Sequence, residues 1–539
     1  LLIGQISHRD SEEQMAVSVN RGTNASETLH ILPAAAWEKL HSEMRSVAPE
    51  AFTSDGAVLN LIGGEWRNPG HEKPYFSPND GTHLGAYPMI DVATARHAVE
   101  LAAREFPAWA NTDLDERKRR VAECVEGLKR HRDLLTYLLM WEIGKPFRLA
   151  QVDVDRCISG VEWYLEKIQD LMGSRKPLGL ISNIASWNYP MSVIVHTILV
   201  QLLTGNSIIA KTPSDGGIYA LTISMALARR AGLPVSLVSG SGGNLSEALV
   251  RHPDVACLSF VGGKTSGGTI AAYLHDESRR YMLEMEGVNA YGIWEFSDWP
   301  TLAKQLKKGF EYGKQRCTAY VRFVIQRKLF SRFLDAYLPV LKSIRFGHPV
   351  LVGASEELPD YDFGPLINAK KVEELRVHIG EALAKNAVSL FEGSLDESLF
   401  LPEQDISSYF GPVSLMNLAS NCHLYHNEPF GPVDTIVLVD RVEELVNEMN
   451  VSNGALVSSV ACDDPKLARQ IASQVRAFKV GINVMRSRGD REECFGGIGQ
   501  SWKGCFVGGK YLVQATTVGE PGERLYGNFP DYVLLPPER

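Results

Sequence analysis

Leu178-Gly179-Leu180-Ile181-Ser182-Asn183-Ile184 decides the fold. It is short, mostly apolar and preceded by Lys176-Pro177, which reads as a strand buried on both faces. The pattern then repeats. Trp187-Asn188-Tyr189-Pro190 turns into a helix through Leu203, and Ser207-Ile208-Ile209-Ala210-Lys211 is the next strand. A helix from Gly217 to Ala231 leads to the strand Val235-Ser236-Leu237-Val238. A helix from Leu245 to Arg251 leads to Ala256-Cys257-Leu258-Ser259-Phe260 and a glycine-rich loop. Strands and helices alternating at this length predict an α/β fold with a doubly wound parallel sheet. Ligands of such sheets bind at the carboxyl ends of the strands.

Toward the N-terminus the periodicity predicts helices over Asp91–Trp109, Leu114–Arg132 and Asp133–Ile143, stopping at Gly144-Lys145-Pro146, then a long helix to about Leu171. Asn60 to Trp66 reads as a strand and turn, and Ser77-Pro78-Asn79-Asp80-Gly81-Thr82 as a turn. Residues 1–55 are a polar extension with a helical patch from Ala34 to Val47. The expected divisions are a cofactor domain at 56–283, a catalytic domain at 284–482, a return at 483–510, and a C-terminal arm and tail at 511–539.

Composition excludes several classes. The chain has 539 residues, enough for two or three domains, with 45% hydrophobic and 22% charged residues. A net charge of −9 gives no reason to expect nucleic acid. The longest apolar run, Met191 to Leu203, contains His196 and Gln201 and is too short for a membrane span. The opening Leu-Leu-Ile-Gly-Gln lacks the basic flank of a signal peptide. None of the 8 cysteines forms CxxC or has zinc-ligand spacing with histidine, so no metal is expected and a cytoplasmic setting fits.

One cysteine stands apart. Cys317 lies in Phe310-Glu311-Tyr312-Gly313-Lys314-Gln315-Arg316-Cys317-Thr318-Ala319, among small and polar residues that would leave a thiol reachable. Taken with Trp187-Asn188-Tyr189-Pro190, Lys211 with Pro213-Ser214, Phe260-Val261-Gly262-Gly263, Leu283-Glu284-Met285-Glu286-Gly287, Glu428-Pro429-Phe430-Gly431-Pro432-Val433 and Phe495-Gly496-Gly497 with Ser501, it resembles the aldehyde dehydrogenase superfamily from about residue 58 to 517.

The resemblance implies a Rossmann-like cofactor domain, an α/β catalytic domain, and oxidation of an aldehyde to a carboxylic acid with NAD or NADP. Cys317 would be the nucleophile, passing through a thiohemiacetal and a thioester. The Asn188 amide and the Cys317 N–H would hold the oxyanion, donors worth about 3 kcal/mol each in comparable sites. Glu284 would activate the deacylating water. The implied cofactor residues are Ile184, Ser186, Trp187, Lys211, Ser214, Asp215, Phe260, Gly262, Gly263, Gly267, Glu428 and Phe430. The tunnel would draw on Tyr189, Val193, His196, Arg316, Thr318 and Phe495. Tyr189, Val193 and His196 share a helix face by spacing. Arg486, Arg488 and Arg491 precede Phe495, so a carboxylate-bearing aldehyde is a candidate substrate. Ser214 stands where the family's NAD-selecting glutamate falls. That favours NADP unless Asp215 takes the glutamate's place.

The chain departs from the family's pattern at several points. Glu286 and Lys314 replace glycines, Gly263 followed by Lys264 replaces a serine, and Trp502 follows Ser501 where a glycine is usual. The short link from Leu171 to Pro177 lacks the family's β-hairpin. That implies a reduced oligomerisation arm, a C-terminal strand near Tyr511–Val518 left as an open edge, and weakened or altered oligomerisation, with a homodimer as the candidate assembly. Two other functions remain open. One is CoA-acylating semialdehyde oxidation, against which Glu284 argues. The other is an inactive member serving as a binding protein, which the lost glycines would allow.

Overall fold

The computed structural model describes residues 28–184, 186–452 and 454–537. The first 27 residues of the expected extension lie outside it.

Two sheets carry the architecture. The larger has ten strands, ordered Val533–Leu534, Gly527–Asn528, Trp502–Cys505, Arg280–Met285, Val255–Gly262, Leu180–Ile184, Ser207–Lys211, Val235–Val238, Asn60–Ile62 and Glu65–Arg67. Its five central strands, from Arg280–Met285 to Val235–Val238, are parallel. All five residues of Ser207–Lys211 are buried, because both faces are covered. Ile208 and Ala210 join the core that holds Ile198, Leu202 and Ile223, while Ile209 joins the opposite core with Ala95, Ala98 and Val99. The second sheet has seven strands, ordered Val388–Glu392, Val413–Met416, Val433–Val439, Tyr320–Gln326, Asn289–Ile293, Val457–Ala461 and Lys479–Ile482. All but the first pair are parallel.

Register brings the motifs to one end of the larger sheet. Ile184 pairs with Lys211 on one side and Phe260 on the other. Val261 then pairs with Glu284, and Glu284 with Trp502.

Two local expectations are corrected. The segment after Trp187 is not one α-helix. Pro190–Val195 is π-helical, and the α-helix spans His196–Leu203. π-Turns of this kind recur at functional sites. The expected strand near Tyr511–Val518 is mostly a helix, Gly509–Ala515. Tyr511, Leu512, Val513 and Ala515 are all buried, and tertiary packing overrides their strand-like composition. Thr517–Val518 is a short strand, and it is not left open. It pairs with Lys176–Pro177, the link where the hairpin is missing. Arg280 Nη1 donates to Thr517 O at 2.5 Å and helps fix it.

Among the described residues no helix is long and apolar enough to cross a membrane, and no cluster of His, Cys, Asp or Glu could hold a metal ion.

Candidate active site

The backbone enters the cysteine turn in a strained form. Tyr312, Gly313 and Lys314 have φ of 61°, 59° and 57°, three left-handed residues in succession, two of them carrying a Cβ. Several partners hold them. Tyr312 N donates to Asp362 O at 2.9 Å, and Tyr312 Oη to Ile143 O at 3.1 Å. Gln315 is fully buried. Its amide donates to Pro365 O at 3.2 Å and accepts from Ile367 N at 3.0 Å. Beyond the turn, Asn289 Nδ2 donates to Cys317 O at 2.7 Å and Ala319 O at 2.9 Å.

Cys317 emerges half-buried, while the other seven cysteines are buried and all eight are free thiols. Its Sγ donates to Glu284 Oε1 at 2.7 Å. Burial first, and then the Glu284 carboxylate, push the thiol pKa well above its ordinary value. Cys317 therefore rests as a thiol whose proton faces the Glu284 carboxylate. Arg488 works in the opposite direction. Its guanidinium lies 3.7 Å from Glu284 Oε2, stacks 4.6 Å over the Phe495 ring, and favours the thiolate.

Asn188 is buried beside this pair. Its Nδ2 donates to Gln315 O at 3.1 Å, and its Oδ1 accepts from Ser186 Oγ at 2.7 Å. One side-chain N–H remains for an oxyanion. A small cavity of about 30 Å³ lies against Glu284, lined by Ile184, Val193, Phe260, Arg488 and Trp502 among others. Tyr189 is stacked under the Lys145 ammonium at 3.8 Å. His196 packs 5.7 Å from the Tyr164 ring. Burial, then Arg488 and Arg491, push its pKa down to about 3, so it is neutral. Thr318 follows Cys317 and is half-buried.

The other side of the cysteine suits a nucleotide cofactor. Glu428 is buried, and beyond a weak approach of the Gly287 N–H its carboxylate oxygens find no donor. Burial and the nearby Glu286 raise its pKa well above the usual range, and the Gly287 N–H offsets this in part. A buried carboxylate without donors is costly, and ribose hydroxyls would supply them. Phe430 beside it takes φ of 48° and meets Trp187 edge-on at 5.7 Å. Lys211 ends its strand almost fully buried, with Nζ donating to Thr212 O at 2.8 Å. Burial lowers its pKa to about 8. Asp215 and Lys73 act on it in opposite directions, Asp215 raising and Lys73 lowering that value. Ser214 and Asp215 are both exposed, and Asp215 Oδ1 accepts from Asn368 Nδ2 at 3.5 Å. Gly262 ends its strand, and Gly263 N-caps the helix Lys264–Asp276, whose N-terminal amides suit a phosphate. These residues fit a nicotinamide dinucleotide.

Some assignments change. A Cβ on Gly267 would meet Met285 Sδ at 2.2 Å, so glycine at this position lets the helix rest on the Glu284 strand. Arg316 is not a free tunnel cation. Its Nη2 donates to Lys308 O and Gly309 O, both at 3.1 Å, at the end of the helix Trp299–Gly309. Trp502 needs no glycine in its place. It is buried, pairs in register with Glu284, and donates from Nε1 to Cys505 O at 2.9 Å. Two contributors were missed. Asn289 carries no motif signal. Gly242, whose Cβ would lie 3.9 Å from Lys211 Cε, sits in a glycine cluster that does not follow GxGxxG because Leu245 interrupts it.

Residues 66–519 match the model of the "Aldehyde dehydrogenase family". The chain is 26% identical over 468 residues to the mitochondrial succinate-semialdehyde dehydrogenase of Rattus norvegicus, covering 83% of this chain and 86% of that protein. It is 26% identical to the D-glyceraldehyde dehydrogenase (NADP(+)) of Picrophilus torridus, covering 78% and 87%. Among solved structures, the NADP-dependent glyceraldehyde-3-phosphate dehydrogenase of Bacillus halodurans complexed with NADP superposes with a TM-score of 0.76 at 24% identity, covering 85% of this chain and 97% of that one. HpcC of Thermus thermophilus superposes with a TM-score of 0.80 at 23% identity, covering 92% and 98%. With that match spanning Glu284, Cys317 and Glu428, the chain belongs to the aldehyde dehydrogenase family and is an NAD(P)-dependent oxidoreductase acting on aldehydes.

Proposed function

We propose that the chain converts an aldehyde bearing an anionic group to the corresponding acid, with Cys317 as nucleophile and Glu284 as base for both proton transfers. The observation that carries this is the contact of 2.7 Å between Cys317 Sγ and Glu284 Oε1. Glu284 takes the thiol proton as sulfur adds to the carbonyl carbon. The resulting alkoxide is held by the Asn188 amide and the Cys317 N–H. A nicotinamide dinucleotide held by Glu428, Lys211 and the Gly262-Gly263 turn would supply the acceptor for the hydride of that carbon. Glu284 gives the thiol proton up to solvent, then deprotonates the water that opens the thioester and returns this second proton to the departing sulfur, releasing the acid and restoring the thiol. Glu428 orients the cofactor through its ribose. A base so close to the sulfur favours hydrolysis over transfer to CoA.

Arg488 supports the anionic substrate. It lies beside Glu284, is held from below by Phe495, and its carbonyl accepts from the buried Lys479 ammonium at 2.9 Å. A substrate carboxylate or phosphate can compete with Glu284 for it. Relatives named for succinate semialdehyde and for glyceraldehyde-3-phosphate favour the same class. A cytoplasmic setting belongs to this reading, supported by the eight free thiols. The test is a panel of semialdehydes, phosphorylated aldehydes and aliphatic aldehydes with NAD and NADP. Higher kcat/KM for the anionic members, lost in Arg488→Ala, supports the reading. Aliphatic aldehydes performing best, or Cys317→Ala retaining activity, overturns it.

A further inference from the structure

The cysteine turn is tied down by a charged pair that plays no part in the chemistry above. Lys314 has a side chain 1% exposed and a left-handed backbone. Its Nζ donates to Asp434 Oδ1 at 2.6 Å and to Tyr320 O at 2.7 Å, and lies 4.2 Å over the Phe310 ring. The Asp434 side chain is fully buried, and its second oxygen accepts from Tyr337 Oη at 2.7 Å.

The two ends of this pair stand in functional segments. Lys314 precedes Gln315-Arg316-Cys317. Asp434 lies in the strand Val433–Val439, directly after Glu428-Pro429-Phe430-Gly431-Pro432. Val433 N and Val413 N fix the start of that strand through Gly431 O and Pro432 O, at 2.7 Å and 2.8 Å. The pair therefore links the turn that presents the thiol to the loop that presents the ribose carboxylate. Burying two charges is expensive and seldom the cheapest route to stability, whereas their directional bonds fix one arrangement. A glycine at 314 would relieve the left-handed backbone but make no such link.

We propose that Lys314 and Asp434 are positioning residues, which hold the Cys317 thiol and the Glu428 cofactor site at one fixed separation. The inference rests on Cys317 as nucleophile. It assigns no contact between Lys314 and substrate or cofactor.

Two full-length variants test it. Lys314→Met with Asp434→Leu replaces the pair by apolar groups of similar bulk, and Asp434→Asn keeps the shape and the Tyr337 bond but removes the charge. Circular dichroism establishes folding. The readouts are kcat and KM on an accepted aldehyde, and the rate of Cys317 alkylation by iodoacetamide, followed by peptide mass spectrometry with and without NADP. We expect folded variants whose kcat falls about tenfold or more while aldehyde KM moves by less than about threefold. We also expect the effect of NADP on Cys317 alkylation to shrink toward none. A folded variant with parental kcat and a parental NADP effect on alkylation overturns the proposal. If the double variant fails to fold, Asp434→Asn decides by the same readouts. Failure of the nucleophile reading is separate, since it shows as retained activity in Cys317→Ala.

Discussion

At the scale of single residues, two titrating groups set testable behaviour. Cys317 is a protonated thiol because burial and Glu284 both disfavour the thiolate. Removing the carboxylate charge in Glu284→Gln removes one of those causes, so the thiol pKa falls. Alkylation of Cys317 by iodoacetamide near neutral pH is expected to quicken severalfold, while steady-state turnover falls about a hundredfold for want of a deacylating base. Mass-resolved alkylation rates and burst kinetics check both halves, and slower alkylation in the variant would contradict this account of the thiol. Lys211 gives the second case. Its folded pKa of about 8 lies below its ordinary value. As pH rises through about 8 the ammonium loses its proton and can no longer attract a 2′-phosphate. NADP affinity should therefore weaken between neutral and alkaline pH more than NAD affinity, and Lys211→Arg should flatten that difference. Fluorescence titration of both cofactors across that range measures it. A parent that prefers NAD a hundredfold, with the preference lost in Asp215→Ala, would place Asp215 rather than Ser214 at the ribose.

At the scale of elements, the readable and unreadable parts separate by physical cause. Ser207–Lys211 and Val235–Val238 match their sequence limits to the residue, since strands buried on both faces read as continuous apolar runs between turn residues. Cys317, Glu284 and Glu428 stood out in the sequence through ordered motifs, and the structure brings the first two into contact. Gly509–Ala515 was not, because buried Tyr, Leu and Val suit a strand equally well and only packing decides. The Lys314–Asp434 bond joins residues 120 apart, and local pattern carries no trace of it. Gly267 also has a packing task that local sequence does not show. Its helix rests on Met285, the neighbour of Glu284. Gly267→Val should push Met285 and the strand end, costing about 1–3 kcal/mol of stability. Urea unfolding should show that loss, accompanied by slower steady-state turnover. Parental values for both would mean that the helix can slide without disturbing the base.

For the whole molecule, the question is what becomes of the larger sheet's edge in a chain without the usual hairpin. The structure answers with its own C-terminal segment. Gly527–Asn528 pairs with Trp502–Cys505, and Val533–Leu534 closes outside it. Asn528 Nδ2 donates to Gly499 O at 2.9 Å and Trp502 O at 2.7 Å, so the tail also holds the strand that pairs with Glu284. Phe529 packs 5.9 Å from Tyr281, further along the Glu284 strand. Further back, Arg175 binds Glu523 with both terminal nitrogens, at 2.6 Å and 2.8 Å, anchoring the start of the tail to the link before Lys176. A sheet edge paired in this way offers few free backbone groups to a neighbouring chain. We therefore expect light scattering of the intact chain to report a dimer at most. Truncation after Arg524 removes both edge strands and Asn528 while sparing the Arg175–Glu523 pair. It should uncover Trp502–Cys505, lower the melting temperature by several degrees and promote association through the bare edge. Turnover should fall as well, because the Glu284 strand loses its backing. An intact chain that forms a stable tetramer, or a truncated one that keeps its parent's activity and dispersity, would show that the tail neither guards the edge nor steadies the base.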